Sequence, residues 1–178
     1  MLITISEKWF NNCQDKKYLW GDKKFKDNIR AGNTWEVATQ KFLGLTDKSI
    51  KLREGKKGVD CGIDCIVESK KYQCKSCLLD GKKNFVLLDS KINYNVDYYS
   101  LGKVYDDFKQ CELVAMLPIA EILHLIKYGK ILYHSQFLKW AYLLCNTETW
   151  EEEQYKKGAL KRGLVQDINA VIYTPKTK

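Results

Sequence analysis

Residues 58–76, GVDCGIDCIVESKKYQCKS, carry the strongest structural signal in this sequence. A short β-branched run and a later alternating run are typical of two β-strands, and the polar residues 68–71 between them are typical of a turn. A four-residue turn would bring Asp64 opposite Lys75. Residues directly across an antiparallel pair have Cβ atoms about 4.5–5.5 Å apart. This register predicts that Asp64, Gln73 and Lys75 present a carboxylate, an amide oxygen and an ammonium on one face of a hairpin.

Asp64 followed by Gln73-Cys74-Lys75 resembles the active-site hairpin of the PD-(D/E)XK nuclease superfamily. The likeness is closest to its Mrr-type branch, in which a Gly-Ile-Asp element, here residues 62–64, precedes a Gln-x-Lys triplet. The family also carries a glutamate on the helix before the hairpin, and Glu36 stands at that position. The resemblance covers residues 32–77. Ile63 stands where the PD-(D/E)XK motif has proline. Gln73 replaces the second acidic ligand, so the site has one negative charge fewer than the family pattern.

The resemblance implies an α/β fold with a restriction-endonuclease-like core, in which a central mixed sheet of four to five strands is flanked by helices. It implies metal-dependent hydrolysis of nucleic-acid phosphodiester bonds, with endonuclease action expected and DNA favoured over RNA. Mg²⁺, or Mn²⁺ in its place, would be held by Asp64, Gln73 and the backbone carbonyl of Cys74, with Glu36 as a further carboxylate. Lys75 would orient the attacking water and offset charge in the transition state. The implied catalytic residues are therefore Glu36, Asp64, Gln73 and Lys75.

A literal Glu-x-Lys triplet, residues 68–70, competes with the Gln-x-Lys assignment. In a continuous strand, Asp64 and Glu68 would share a face but lie about 13 Å apart, at ~3.3 Å per residue. Two carboxylates at that separation cannot bind one cation. The triplet also falls where the chain must reverse, so we expect it to belong to the turn.

Two other functions remain open from the sequence. The neutral Gln73 favours a nuclease-like fold that cleaves weakly or not at all and acts as a nucleic-acid-binding module. A zinc-organised interaction domain is the other alternative, because four cysteines have spacings that could hold zinc, namely Cys61, Cys65, Cys74 and Cys77. Against zinc, the predicted hairpin turns Cys65 and Cys74 toward the core, where free cysteine is a common small apolar side chain.

Length and composition are consistent with one globular domain over residues 1–178, with a core at about 32–130 and a helical and strand extension at 131–178. The abrupt end of the sequence is also compatible with this chain being one module of a longer protein. No apolar stretch approaches the ~18 residues of a membrane span, so no membrane partner is expected. Seven cysteines without an export signal predict an intracellular, reducing compartment, the cytoplasm or the nucleus.

The net charge of +8 predicts salt-sensitive attraction to a polyanion. Lysines near the hairpin in sequence are the candidate nucleic-acid-binding residues: Lys56, Lys57, Lys70, Lys71, Lys82 and Lys83. Nucleic acid, with DNA favoured, is thus the expected partner. A homodimer, and fusion to or association with a helicase or other DNA-processing module, are compatible with this function.

The apolar periodicity predicts the remaining elements. Helices are expected at 33–43, 98–110, 119–128 and 135–145, and the first of them should begin at a cap formed by Asn33 or Thr34 and end at Gly44. Strands are expected at 49–53, 62–67, 72–77, 85–88, 112–117 and 170–173.

Overall fold

The computed structural model describes residues 1–14, 26–52, 62–79, 85–88, 92–127, 132–134 and 139–143. Within these residues the chain is an α/β protein with three helices and eight strands. The helices are α1 (Glu7–Gln14), α2 (Lys26–Phe42) and α3 (Ile119–Lys127). The strands are β1 (Leu2–Thr4), β2 (Cys65–Val67), β3 (Lys70–Leu79), β4 (Phe85–Leu88), β5 (Tyr98–Tyr105), β6 (Gln110–Pro118), β7 (Leu132–His134) and β8 (Lys139–Leu143).

The main sheet has five strands in the order β1-β6-β5-β3-β2. Strands β3 and β5 run parallel, and the other neighbouring pairs are antiparallel. Helix α2 packs on one face, called here the α2 face, which carries Cys74 and Val104. Helix α3 packs on the opposite face, the α3 face, which carries Cys77 and Leu101. The prediction of an α/β fold with a mixed sheet flanked by helices is confirmed.

A smaller sheet of three antiparallel strands has the order β4-β8-β7. The predicted strand at 85–88 is confirmed as β4, which pairs with β8. The helix expected at 135–145 is wrong over the described residues, because 139–143 form β8. The strand expected at 170–173 lies outside the described residues.

Helix α2 begins at Lys26, several residues before the expected cap at Asn33 or Thr34. The end of α2 agrees with the prediction from the sequence, which places it at Gly44. Gly44 adopts a φ of +88°, its amide donates to the Lys41 carbonyl, and the Leu45 amide donates to the Gln40 carbonyl. This pair of bonds is a Schellman motif, which needs a left-handed residue and therefore favours glycine.

The hairpin turn is shorter than predicted. Glu68 and Ser69 both have positive φ values, 48° and 64°, which is the mirror-image turn that suits a two-residue hairpin loop. The prediction that Glu68 belongs to the turn is confirmed, whereas Lys70 and Lys71 belong to β3. Val67 consequently pairs with Lys70, and the register is shifted by two residues from the predicted one.

The helix predicted at 98–110 is wrong, because these residues form β5 and the turn after it. Strand β5 lies between β3 and β6 and is covered on both faces, so Ser100, Leu101 and Gly102 are all buried. A strand buried on both faces loses its two-residue alternation and cannot be distinguished from a buried helix by periodicity.

The strand predicted at 49–53 is also wrong over the described residues 49–52. The side-chain amide of Gln40 pairs with the backbone of Lys51 instead. Gln40 Nε2 donates to the Lys51 carbonyl at 2.8 Å, and the Lys51 amide donates to Gln40 Oε1 at 3.1 Å. The alternating pattern still buries Ile50 and Leu52, but a helix side chain takes the position of a neighbouring strand.

The predictions for the segment before α3 are confirmed. Residues 112–117 lie in β6, the strand ends at Pro118, and α3 follows at once. No helix within the described residues is long and apolar enough to cross a membrane.

Gly102 provides a test of the packing between α2 and the sheet. A Cβ at Gly102 would lie 2.3 Å from the ring of the fully buried Trp35, whose Nε1 donates to the Ser100 carbonyl. We expect Gly102→Ala to lower the free energy of unfolding by about 1–3 kcal/mol, as overpacked cores do. Urea denaturation followed by tryptophan fluorescence measures the change.

Gly32→Ala is the matched control, because Gly32 lies inside α2 with nothing within 4 Å of its added Cβ. Alanine is the better helix former by about 0.5–1 kcal/mol, so this variant should be as stable as the wild type or more stable. Equal stability of the two variants would contradict the close packing of Trp35 on Gly102.

Candidate functional site

Strand β3 directs the side chains of the Gln-x-Lys triplet to opposite faces of the sheet, as alternation requires. Cys74 points to the α2 face, where its Sγ donates to Thr39 Oγ1 at 3.5 Å. Gln73 and Lys75 therefore point to the α3 face, the same side as Cys77. Gln73 is buried and Lys75 is half-buried.

Asp64 stands immediately before β2 and is bonded to β3 twice. Its amide donates to the Tyr72 carbonyl at 2.9 Å, and its Oδ2 accepts from the Cys74 amide at 2.6 Å. The N–H and C=O of one residue in a strand point to the same side. The Cys74 carbonyl is therefore directed toward the same edge of β3 as Asp64.

The register alters one predicted neighbour of Asp64. The ladder ends where Cys65 pairs with Tyr72, so Asp64 has no partner in it and does not stand opposite Lys75 as expected. The two-residue turn at Glu68 and Ser69 is the physical cause. Because the shift is even, the residues of β2 keep the faces of the sheet that the predicted register gave them.

Gln73 contains the most unusual polar atom of the site. The residue is 6 % exposed, and its Oε1 has no hydrogen-bond partner within the described part of the chain. A buried acceptor without a donor costs about 1–3 kcal/mol. An amide oxygen is also a ligand that hard divalent cations accept. These two oxygen donors, the Gln73 amide oxygen and the Asp64 carboxylate that is bonded to the Cys74 amide, are called here the Asp64 corner.

The segment 92–97, which precedes β5, packs against this corner. The sequence does not predict that contact. Gly62 has a φ of +72°, and a Cβ added there would lie 2.6 Å from Asn93 Nδ2 and 3.4 Å from Gln73 Nε2. The Asn93 amide donates to the hydroxyl of Tyr99 at 2.8 Å, and Tyr99 is the partner of Gln73 in β5. The only available signal was the asparagine-rich run at 93–95, a composition typical of turns.

Glu36 approaches the triplet from the other face of the sheet. Burial raises the pKa of the Cys74 thiol well above its usual value, and the neighbouring Cys65 and the charges of Asp64 and Glu36 raise it further. Glu36 is half-buried on α2, and its charge also raises the pKa of Cys13. Glu36 is thus close to the Cys74 thiol on the α2 face, whereas Gln73 and Lys75 occupy the α3 face.

The cysteines do not support the zinc alternative. Cys65 and Cys74 lie together on the α2 face, but Cys77 belongs to the core on the α3 face, so the three thiols cannot share one ion. Cys61 lies outside the described residues. Among the described residues, no group of three or more histidine, cysteine, aspartate or glutamate side chains could hold a metal ion.

Two of the six candidate nucleic-acid-binding lysines fall in the described part of the chain. Lys70 and Lys71 are exposed at the hairpin end of β3, and the Lys71 amide donates to Asp97 Oδ2 at 2.8 Å. The other four lie outside the described residues: Lys56, Lys57, Lys82 and Lys83.

The buried thiol of Cys13 predicts a pH dependence of the protein's stability. Burial raises the pKa of Cys13 from 9.0 to about 12, so the unfolded chain loses this proton at a lower pH than the folded one. The folded protein should therefore lose stability as the pH rises above 9, by up to about 1.4 kcal/mol per pH unit from this thiol. In Cys13→Ala, the decrease in unfolding free energy between pH 8 and pH 10 should be about 1 kcal/mol smaller than in the wild type. Urea denaturation at the two pH values measures it, and an unchanged decrease would contradict the buried environment of Cys13.

No family model, no curated protein and no solved structure matches the chain.

Proposed function

We propose that this protein is a metal-dependent nuclease that hydrolyses phosphodiester bonds of nucleic acid, with DNA favoured over RNA and endonuclease action favoured over exonuclease action. One observation carries the proposal. The Asp64 carboxylate is bonded to the Cys74 amide, and the residue before Cys74 buries an amide oxygen that has no hydrogen-bond partner in the described part of the chain. These two features bring a charged and a neutral oxygen donor to adjacent residues of β3.

The donor set fits a hard divalent cation. Asp64, the Gln73 amide oxygen and the Cys74 carbonyl are all oxygen donors, which Mg²⁺ and Mn²⁺ prefer. Mg²⁺ usually retains several waters and takes only one or two carboxylates from the protein, so a site with few acidic residues is compatible with it. When bound, such an ion lowers the pKa of a coordinated water and withdraws charge from a phosphate oxygen.

The remaining side chains would position the reactants and offset charge. The Lys75 ammonium, on the same face as Gln73, would hold the attacking water and stabilise the negative charge that develops on the phosphate. Glu36 would act from the α2 face as a positioning residue, adding negative charge behind Cys74. The exposed Lys70 and Lys71 would attract the nucleic-acid backbone without reading its sequence.

Five free cysteines among the described residues, with burial raising the pKa of Cys13, Cys74 and Cys111, support a reducing compartment for this function.

Cleavage assays test the proposed catalytic residues. We expect Asp64→Asn and Lys75→Ala each to lower the rate of cleavage of supercoiled and single-stranded DNA by about 100-fold or more in Mg²⁺, because each removes a group that touches the reacting atoms. Glu36→Gln should cause a smaller loss, about tenfold, because it acts through its neighbours.

Matched controls change the same charges far from the candidate site. Asp106 and Lys109 both have exposed side chains in the turn between β5 and β6, at the end of β5 opposite to Tyr99, and the control variants are Asp106→Asn and Lys109→Ala. Both variants should cleave like the wild type. Equal activity in the wild type and all variants would assign the cleavage to a contaminant and remove the nuclease proposal.

A second candidate function is a nucleic-acid-binding module without cleavage. The absence of a three-residue acidic or metal-ligating group among the described residues favours it, since Gln73 contributes no charge. The two functions differ in metal binding at Asp64 and Gln73.

Metal titration of Gln73 variants separates the two functions. We expect Gln73→Leu to abolish saturable Mn²⁺ binding measured by calorimetry, and Gln73→Glu to strengthen it about tenfold or more, because a carboxylate adds charge beside Asp64. Without metal, Gln73→Glu should be less stable than the wild type, since two carboxylates then repel each other. Gln110→Leu, at an exposed position of β6, is the control. Mn²⁺-independent DNA binding with no metal uptake by the wild type would favour the binding module.

A further inference from the structure

The segment between Ile92 and Asp97 forms a tight turn next to the candidate site. Its two apolar residues, Ile92 and Val96, are buried in the core on the α3 face. The Asn95 amide donates to Asn93 Oδ1 at 2.9 Å, which closes the turn locally. At its end, the Asp97 amide donates to the Lys71 carbonyl at 2.9 Å. The turn is therefore fixed to the sheet on both sides of its tip.

The tip of this turn presents an aromatic ring to solvent. Tyr94 is 68 % exposed and is the most exposed aromatic residue among those whose burial is described. The two residues that precede it are held in place, Ile92 by burial and Asn93 by the bond from its amide to the Tyr99 hydroxyl. A rigid backbone under an exposed ring means that little conformational freedom would be lost when a ligand stacks on that ring.

The backbone of this turn lies close to the proposed catalytic residues. The side chain of Asn93 contacts Gly62, and Gly62 also lies against the Gln73 amide. Tyr94 follows Asn93 directly, so their Cα atoms are about 3.8 Å apart. Gly62 in turn is two residues from Asp64. The turn and the Asp64 corner are thus joined through one contact, on the side of β3 that carries Gln73.

We propose that Tyr94 is a stacking platform for an unpaired base of the nucleic acid, adjacent to the scissile phosphate. Base stacking on an aromatic ring tolerates any sequence, because every base has a π-face. The charge of +8 and the exposed Lys70 and Lys71 provide the accompanying attraction for the backbone. This inference rests on the proposed nuclease function and specifies its substrate as single-stranded DNA, or DNA with an unpaired base at the site.

The test measures binding separately from cleavage. Fluorescence anisotropy with a labelled single-stranded oligodeoxynucleotide in EDTA gives the Kd for the full chain carrying Asp64→Asn. We expect Tyr94→Ala to raise this Kd at least about fivefold and Tyr94→Phe, which keeps the ring, to leave it unchanged. The slope of log K against log salt should be the same in all three proteins, because no phosphate contact is removed.

An abasic oligonucleotide of the same length supplies the discriminating comparison. Because this strand has no bases to stack, the protein with Tyr94→Ala and the protein with the native Tyr94 should bind it with the same Kd. Leu2→Ala, an exposed apolar residue in β1 at the opposite edge of the sheet, is the control and should bind both oligonucleotides like its parent.

The outcomes separate this inference from the proposed function. Unchanged binding in Tyr94→Ala, an equal loss on the abasic strand, or no binding of any strand would overturn the stacking role. Cleavage that disappears in Asp64→Asn would still support the nuclease in those cases. Conversely, a ring-dependent Kd in a protein that never cleaves DNA would support the stacking role and reject the nuclease.

Discussion

The hydrogen bond from the Cys74 amide to the Asp64 carboxylate is the contact on which the candidate site depends. Strand β2 begins at Cys65, so from Gln73 onward β3 has no partner strand on that side within the described residues, and the Asp64 side chain bonds its backbone instead. Because the carboxylate is bonded to the backbone amide between Gln73 and Lys75, strand β3 holds it beside the Gln-x-Lys triplet. Charge-assisted bonds of this kind are about twice as strong as neutral ones.

The buried polar side chains of β3 and β5 differ in their hydrogen bonding between the two faces of the sheet. On the α2 face, the hydroxyls of Thr39 and Ser100 are 2.8 Å apart and satisfy each other, although both residues are fully buried. On the α3 face, Gln73 buries an oxygen that none of the described residues satisfies. Buried polar groups are normally hydrogen-bonded, and exceptions in proteins often mark a function. Buried atoms of Ser6, Arg30 and Thr34 also lack a partner among the described residues, but Gln73 is the member of this group that precedes Cys74, whose amide holds the Asp64 carboxylate.

The sequence predicted the polar face of the hairpin, but local backbone geometry decided its register. Alternation in β3 and the apolar runs of β6 and α3 were readable, because each has one dominant period. The turn was not, since Glu68 and Ser69 adopt left-handed conformations that composition rarely predicts for residues other than glycine, asparagine or aspartate. The sequence of β5 predicts a helix, because burial on both faces removes the two-residue alternation that identifies a strand. The turn bearing Tyr94 has no periodic signal at all.

The two-residue change in register alters the expected role of the lysine more than that of the acid. In the predicted pairing, Lys75 would have faced Asp64 directly, and the two charges would have formed an ordinary cross-strand ion pair. In the observed ladder, pairing between β2 and β3 ends at Cys65 and Tyr72, so Asp64 meets β3 through its bonds to the Tyr72 carbonyl and the Cys74 amide and not through a cross-strand pair. Lys75 follows Cys74 in β3 and points to the same face as Gln73. The change in register thus removes the predicted pairing of Asp64 with Lys75, while the bond to the Cys74 amide keeps the acid next to the Gln-x-Lys triplet.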